Sequence, residues 1–212
     1  MNTLYSRRIK RPLDAVISGV ALIALAPLFT VAGAAIRIDT PGPALFAQSR
    51  VGKNGVVFEV LKFRSMLSPS ESVRPDGSEM SNSERVTRVG RILRRVSLDE
   101  LPQLVNVLRG DMSLVGPRPA LPYQVSRYST IQRERLSVRP GITGLAQVSG
   151  RNKLTWDEKI ALDLEYCREV RMLDDLRILL RTARAVVSRD GQDFVAHDAI
   201  SSHGDVSYLK HI

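Results

Sequence analysis

The chain has 212 residues and a formal net charge of +9, with 31 Lys and Arg against 22 Asp and Glu. That is enough for one domain with an appendage, and basic enough to favour polyanionic partners: nucleic acid, an anionic membrane surface or phosphorylated small molecules. The single cysteine, Cys167, excludes an internal disulfide and a cysteine-based zinc site and fits a reducing compartment, and aromatics at 5% leave no stacking platform for single-stranded nucleic acid.

The first element is an uncharged apolar run, residues 15–36, preceded by Arg7, Arg8, Lys10 and Arg11 and followed by Arg37, Arg50 and Lys53. About 20 such residues span a bilayer as a helix. The run is long for a signal peptide. Pro27, just past its centre, has no N–H for the carbonyl of Ile23, so a helix here must kink. Basic residues prefer the cytoplasmic side, and here they stand on both flanks. A re-entrant helix that returns to the same face satisfies them; a Pro-kinked single span is the alternative, and residue physics leaves both open. A buried helix of a soluble core is a poorer third reading.

Residues 40–52 are turn-rich and then extended. Residues 56–66 alternate as a strand, with Lys62 and Arg64 together on one face. Residues 67–83 are polar and rich in Ser, Pro and Gly, a loop expected to be mobile and suited to closing over a substrate. Residues 84–95 form an arginine-rich helix. A second helix starts near Asp99 and ends at Arg109-Gly110. Residues 111–119 form a short extended piece closed by Gly-Pro-Arg-Pro, and Pro122 opens a basic helix to about Leu136. Residues 139–151 hold a strand-like core among glycines. Thr155 and Glu158 make a capping box for a helix to about Met172. The last helix, near Asp174 to Arg189, lines up Leu176, Leu180, Ala183 and Val187 beside Arg177, Arg181 and Arg184, which suits either a membrane interface or a core-facing helix with solvated arginines. The pattern predicts an α+β, mostly helical fold: a membrane segment over 1–38, a cytosolic domain over 39–190 and a tail over 191–212.

All three histidines, His197, His203 and His211, lie in the last 16 residues. Chemistry in the core must therefore use carboxylates, Arg, Lys and hydroxyls, without a Ser–His or Cys–His pair. Attention falls on Asp99-Glu100. Ser97 and Glu100 fit a second capping box, and acids suit the positive end of a helix dipole, so a plain helix start accounts for them. Successive helical residues point about 100° apart, so one acid can instead face phosphorus while its neighbour faces a metal. Arg118, restrained between Pro117 and Pro119, and the pair Lys62 and Arg64 are suited to phosphate. Mg²⁺ takes one or two carboxylates plus substrate phosphate oxygens.

The stretches KRPLD (10–14), PGPALFAQSRVG (41–52), KFRSM (62–66), SLDELPQLVNVLRGDMSLVGPRP (97–119) and RPGITGLAQVSGRN (139–152) occur in the order found in the bacterial sugar transferases, and the chain resembles that family of monotopic phosphoglycosyl transferases over residues 7–190. The resemblance implies transfer of sugar-1-phosphate from a UDP-sugar to undecaprenyl phosphate, with release of UMP, as the first membrane step of exopolysaccharide, capsule, O-antigen or glycoprotein glycan synthesis. It implies Asp99 as nucleophile, Glu100 beside it on Mg²⁺, and Arg94, Arg118 and Arg151 around the phosphates and nucleotide. Lys62, Asn106 and Gln147 are further substrate-binding positions, and Asp111 braces the turn before Gly116. It also implies a re-entrant helix in the cytoplasmic leaflet of the inner membrane, broken at a Ser-Pro pair that here reads Ala26-Pro27. Ser65 stands where Thr is usual. Partners beyond the substrates stay open between a second copy and downstream glycosyltransferases. A membrane-tethered nucleic-acid- or lipid-binding protein is the rival reading; it leaves the Asp99-Glu100 pair and the Pro-braced Arg118 unexplained, and no nucleic acid is expected as a partner. A scaffold for glycan assembly is a third.

Overall fold

A computed structural model describes residues 3–74, 76–150 and 153–187. The N-terminal segment is two helices, α1 (Lys10–Ala24) and α2 (Ala26–Asp39), bent by 62° at Leu25. Pro27 lies in the first turn of α2, where its missing N–H is cheapest, and the Leu25 N–H reaches back to Ala21 O and Ile23 O. Thr30 donates to Ala26 O at 3.0 Å, so a hydroxyl reaches the bend although residue 26 is alanine. Upstream, the turn before Pro12 is widened into a π-helical stretch, Tyr5–Ile9. No single described helix is long and apolar enough to cross a membrane; the bent pair meets that length and composition together.

Burial in α1 is inverted relative to a soluble helix. Asp14 and Ser18 are 5% and 0% exposed, while Val16, Val20 and Ile23 are 64%, 63% and 79% exposed. The inward face packs on α4 (Gln103–Arg109), where Arg11 donates to Val107 O at 2.6 Å and Leu108 O at 2.8 Å, satisfying carbonyls at that helix end.

Among the described residues the domain carries two small sheets. The strands β1 (Leu45–Val51) and β2 (Val57–Phe63) pair antiparallel, Leu45 opposite Phe63 and Val51 opposite Val57. The free edge of β2 is closed by a side chain: Asn106 accepts from Leu61 N at 3.0 Å and donates to Glu59 O at 2.7 Å. The strands β3 (Ser113–Val115) and β4 (Gly141–Thr143) pair parallel. A Cβ at Gly141 would lie 2.1 Å from Gly116 N, so this approach demands glycine.

Around these lie α3 (Arg88–Arg95), α5 (Pro122–Ser126), α6 (Thr130–Arg133), α7 (Leu145–Ser149), α8 (Trp156–Arg168) and α9 (Met172–Val187). The main core gathers Val60, Leu104, Val107, Met112, Val115, Tyr166 and Ile178. A buried polar network ties the N-terminal helix to it. Asp175 on α9 accepts from Lys10, from Tyr5 at 2.7 Å and from Tyr166 at 2.7 Å, and Ser113 donates to Asp14 at 2.6 Å. Each of these bonds joins two different elements, so the network fixes how the N-terminal segment docks.

Several expectations shift. The basic helix expected over 122–136 is three pieces, α5, α6 and a 3₁₀ turn at Glu134–Ser137. Helix α3 starts at Arg88 and α8 ends at Arg168. On α9, Asp175 and Ile178 face inward, while Leu176 and Leu180 are exposed. The capping box of α8 is real: Thr155 Oγ1 accepts from Glu158 N at 3.3 Å, and Thr155 N donates to Glu158 at 2.7 Å. The tail over 191–212, with its three histidines, lies outside the described residues.

Candidate active site

Asp99 and Glu100 do not start an α-helix. They occupy a three-residue 3₁₀ turn, Leu98–Glu100, and α4 begins only at Gln103. Ser97 has φ 56°, a left-handed conformation, and makes no side-chain cap. The expected capping box and helix dipole are therefore absent here. Glu100 turns instead to two cations from elsewhere in the chain: Lys62 Nζ at 2.9 Å and Arg118 Nη2 at 3.1 Å, both on Oε1. Glu100 is partly buried, and Asp99 beside it is 8% exposed. Two adjacent carboxylates thus stand side by side, with two cations on one of them.

The backbone that carries Arg118 is held on three sides. Pro117 O accepts from Gly141 N at 2.9 Å, Arg118 O from Arg135 Nη2 at 3.1 Å, and Pro119 O from Arg50 Nη1 at 3.1 Å. Two prolines, which cannot donate, thus present carbonyls that neighbours lock. Arg135 is itself buried and bonded to Asp163 and to Tyr128. Burial pushes the Asp163 carboxyl up to about 6, and Arg135 opposes that rise. Burial also pushes the Cys167 thiol up to about 12, which leaves it inert as a nucleophile.

The other sequence-predicted positions fall in different places. Arg64 points away from the acids and donates to Thr40 O at 2.7 Å and Pro41 O, bracing the turn after α2. Its expected partnership with Lys62 is not formed, because the chain carries it past the end of β2. Arg94 is buried on α3, and its carbonyl accepts from Ser97 N at 3.1 Å, which joins α3 to the acid turn. Asn106 is fully buried and serves the β2 edge, with Asp111 3.4 Å from its amide. Gln147 donates to Ile142 O at 2.9 Å, and its buried Oε1 has no hydrogen-bond partner among the described residues. Arg151 lies outside them. Arg135 and Asp163 were not singled out from the sequence, and Arg50 was read only as a charge flanking the apolar run; Arg135 sits in a basic stretch whose pattern reads as solvent-facing.

Among the described residues no group of three or more His, Cys, Asp and Glu converges as a closed metal site. Two adjacent carboxylates match instead a hard cation that shares its coordination with substrate phosphate, as Mg²⁺ does.

A family model described as "Bacterial sugar transferase" matches residues 5–189. A UDP-glucose:undecaprenyl-phosphate glucose-1-phosphate transferase of Caulobacter vibrioides is 45% identical over 193 residues, covering 85% of this chain and 70% of the relative. An undecaprenyl-phosphate galactose phosphotransferase of Salmonella typhimurium is 40% identical over 200 residues, 88% of this chain but only 42% of the relative. The exopolysaccharide production protein ExoY of Rhizobium meliloti is 38% identical over 191 residues, 84% of each chain. The chain thus spans less than half of some curated relatives and most of others. With the match running through the acid turn, the Arg118 turn and the N-terminal helix pair alike, this chain is an enzyme of the bacterial sugar transferase family.

Proposed function

We propose that the protein transfers sugar-1-phosphate from a UDP-sugar to undecaprenyl phosphate, in the cytoplasmic leaflet of the bacterial inner membrane, and so initiates a surface glycan such as an exopolysaccharide. The observation that carries this reading is the convergence of Lys62 and Arg118 on Glu100, directly beside Asp99. A UDP-sugar brings a diphosphate and the acceptor a phosphate, so the site must offset several negative charges before a carboxylate can approach phosphorus. Lys62 and Arg118 would contribute the positive charge for that.

In the first step an oxygen of Asp99 attacks the sugar-bearing phosphorus. The bond from that phosphorus to the bridging oxygen breaks, and UMP leaves with that oxygen. In the second step a phosphate oxygen of undecaprenyl phosphate attacks the same phosphorus, the bond from that phosphorus to the Asp99 oxygen in the acyl phosphate breaks, and the carboxylate is regenerated as polyprenol-diphosphate sugar departs. Asp99 and Glu100 would hold Mg²⁺, which when bound offsets phosphate charge. Membrane docking is supported by the inverted burial of α1, which turns Val16, Val20 and Ile23 outward and Asp14 and Ser18 inward. The 62° bend fits a helix pair that enters and leaves on one face.

Detergent-purified protein, given Mg²⁺, undecaprenyl phosphate and a panel of UDP-sugars, is expected to release UMP with at least one donor. Asp99→Asn should lower that release by about 10³-fold or more while leaving the protein folded, the scale seen when a covalent nucleophile is removed. Retention of wild-type rate in Asp99→Asn excludes the nucleophile assignment.

A further inference from the structure

We infer that Arg135 is a positioning residue for Arg118: it holds the main chain of the Gly-Pro-Arg-Pro turn so that the Arg118 guanidinium stays on Glu100 and meets a substrate phosphate from there. The inference rests on the function proposed above and extends it to a residue outside the acid turn and the Gly-Pro-Arg-Pro turn. Arg135 lies in the 3₁₀ turn Glu134–Ser137 and is 6% exposed. A guanidinium so buried is tolerated only where its charge and its N–H groups are matched. Three parts of the chain match it. Asp163 of α8 supplies the opposite charge, the Tyr128 hydroxyl between α5 and α6 accepts from Nη1, and Arg118 O accepts from Nη2 at 3.1 Å. The guanidinium carbon also stands 5.5 Å from the centre of the Tyr128 ring and 6.0 Å from that of Trp156.

The turn it holds is short of donors. Pro117 and Pro119 have no N–H, so neighbours grip this stretch by its carbonyls. Pro117 O accepts from Gly141 N at 2.9 Å and Pro119 O from Arg50 Nη1 at 3.1 Å. The carbonyl between them belongs to Arg118 itself, and Arg135 takes it. Pro119 already confines ψ of Arg118 to the extended range. The direction of the Arg118 carbonyl follows that same ψ, so the Arg135 bond narrows it further. Arg118 is thus fixed at both ends: its carbonyl on a buried framework, its side chain on Glu100 Oε1 at 3.1 Å. Asp163 offsets the Arg135 charge, which lets one guanidinium stand behind the backbone of another. A displacement of about 1 Å at a reacting centre costs on the order of 10²-fold in rate, so restraint of this backbone bears on the chemistry without touching substrate.

A double-mutant cycle tests this on the full chain in detergent, read both as kcat/KM for UMP release and as affinity for UDP. The variants are Arg135→Gln, Arg118→Gln and the pair. Arg135→Gln is expected to lower both readouts by about tenfold or more, the scale of one misplaced charge-assisted contact. The pair should stay within about twofold of Arg118→Gln alone, because Arg135 acts through Arg118. A residue that only stabilises the fold would lower the readouts by the same factor in either background. Losses that multiply in the pair overturn the inference, as does an Arg135→Gln variant equal to the wild type. Where Arg135→Gln strands the Asp163 charge and the protein does not fold, Asp163→Asn takes its place in the cycle. It keeps the guanidinium and removes the charge that holds it, with the same expected pattern and the same overturning result. A wild type that releases no UMP from any donor, yet shows the coupled pattern in UDP affinity, refutes the proposed reaction and leaves the role of Arg135 standing.

Discussion

Two stretches of this chain carry the same four-residue grammar and end up doing different things. Ser97-Leu-Asp-Glu100 and Thr155-Trp-Asp-Glu158 both place a hydroxyl three residues ahead of a glutamate, with an aspartate between. At 155–158 the local solution forms: Glu158 closes on the Thr155 N–H and hydroxyl, which hold its carboxyl below the usual range. At 97–100 it does not. Ser97 takes a left-handed φ, and Glu100 reaches Lys62 and Arg118, 38 and 18 residues away in the chain. The difference is one of competition. Glu158 is exposed on a helix end, where the nearest donors are those of its own turn. Glu100 is partly buried where two charged donors converge, and a charge-assisted bond outweighs a neutral cap. A capping pattern therefore predicts a cap only where no cation competes for the glutamate.

The comparison is open to direct tests. The largest effect is expected from exchanging the two glutamates for glutamine. Glu100→Gln removes the charge facing Lys62 and Arg118 and should lower UMP release by about 10²-fold, the scale of one electrostatic contact in an active site. Glu158→Gln should leave the rate within about twofold. Equal losses in both would show that Glu100, like Glu158, serves only local structure.

A smaller effect is expected in stability against pH, through Asp163, five residues beyond Glu158 on the same helix. Its carboxyl titrates near 6 when folded against 3.8 as the ordinary value. Between those values the folded state keeps a proton that the unfolded chain has released, so stability present below about pH 4 is lost as pH rises to about 6. The loss is about 3 kcal/mol at most. Chemical denaturation of the detergent-solubilised protein across that range should show the slope, and Asp163→Asn should flatten it.

The smallest effects belong to the hydroxyls. Thr155→Ala should cost about 1 kcal/mol by removing a working cap. Ser97→Gly should instead raise stability by about 0.5–1 kcal/mol, because glycine adopts a positive φ without the Cβ penalty. Melting temperatures of the two variants should move in opposite directions; a loss in both would mean that Ser97 caps after all.

Much of the site was legible in the sequence because it is written in contiguous runs. The acid pair, the Pro-flanked Arg118 and Lys62 all come together in space. Arg64 was read as a companion of Lys62 from strand alternation, yet the chain leaves β2 at Phe63, so alternation no longer governs where Arg64 points. Asn106 was placed among substrate contacts, whereas its amide closes the edge of β2. Arg135 and Asp175 gave no signal, and Arg50 was read only as a flanking charge, since each takes its meaning from a partner on a distant element.

The sequence by itself determined the elements decided within a few residues: the apolar run and its break beside Pro27, the cap at Thr155, and the family to which the chain belongs. Tertiary structure decided which long charged side chains meet, that Glu100 faces cations rather than its own turn, and that Lys10, Tyr5 and Tyr166 share Asp175. Backbone hydrogen bonding and sterics act over a turn or two and leave a local pattern. The partner of a Lys, Arg or Glu side chain is set by what the whole fold brings near it in a low-dielectric setting, and no short window of sequence contains that information.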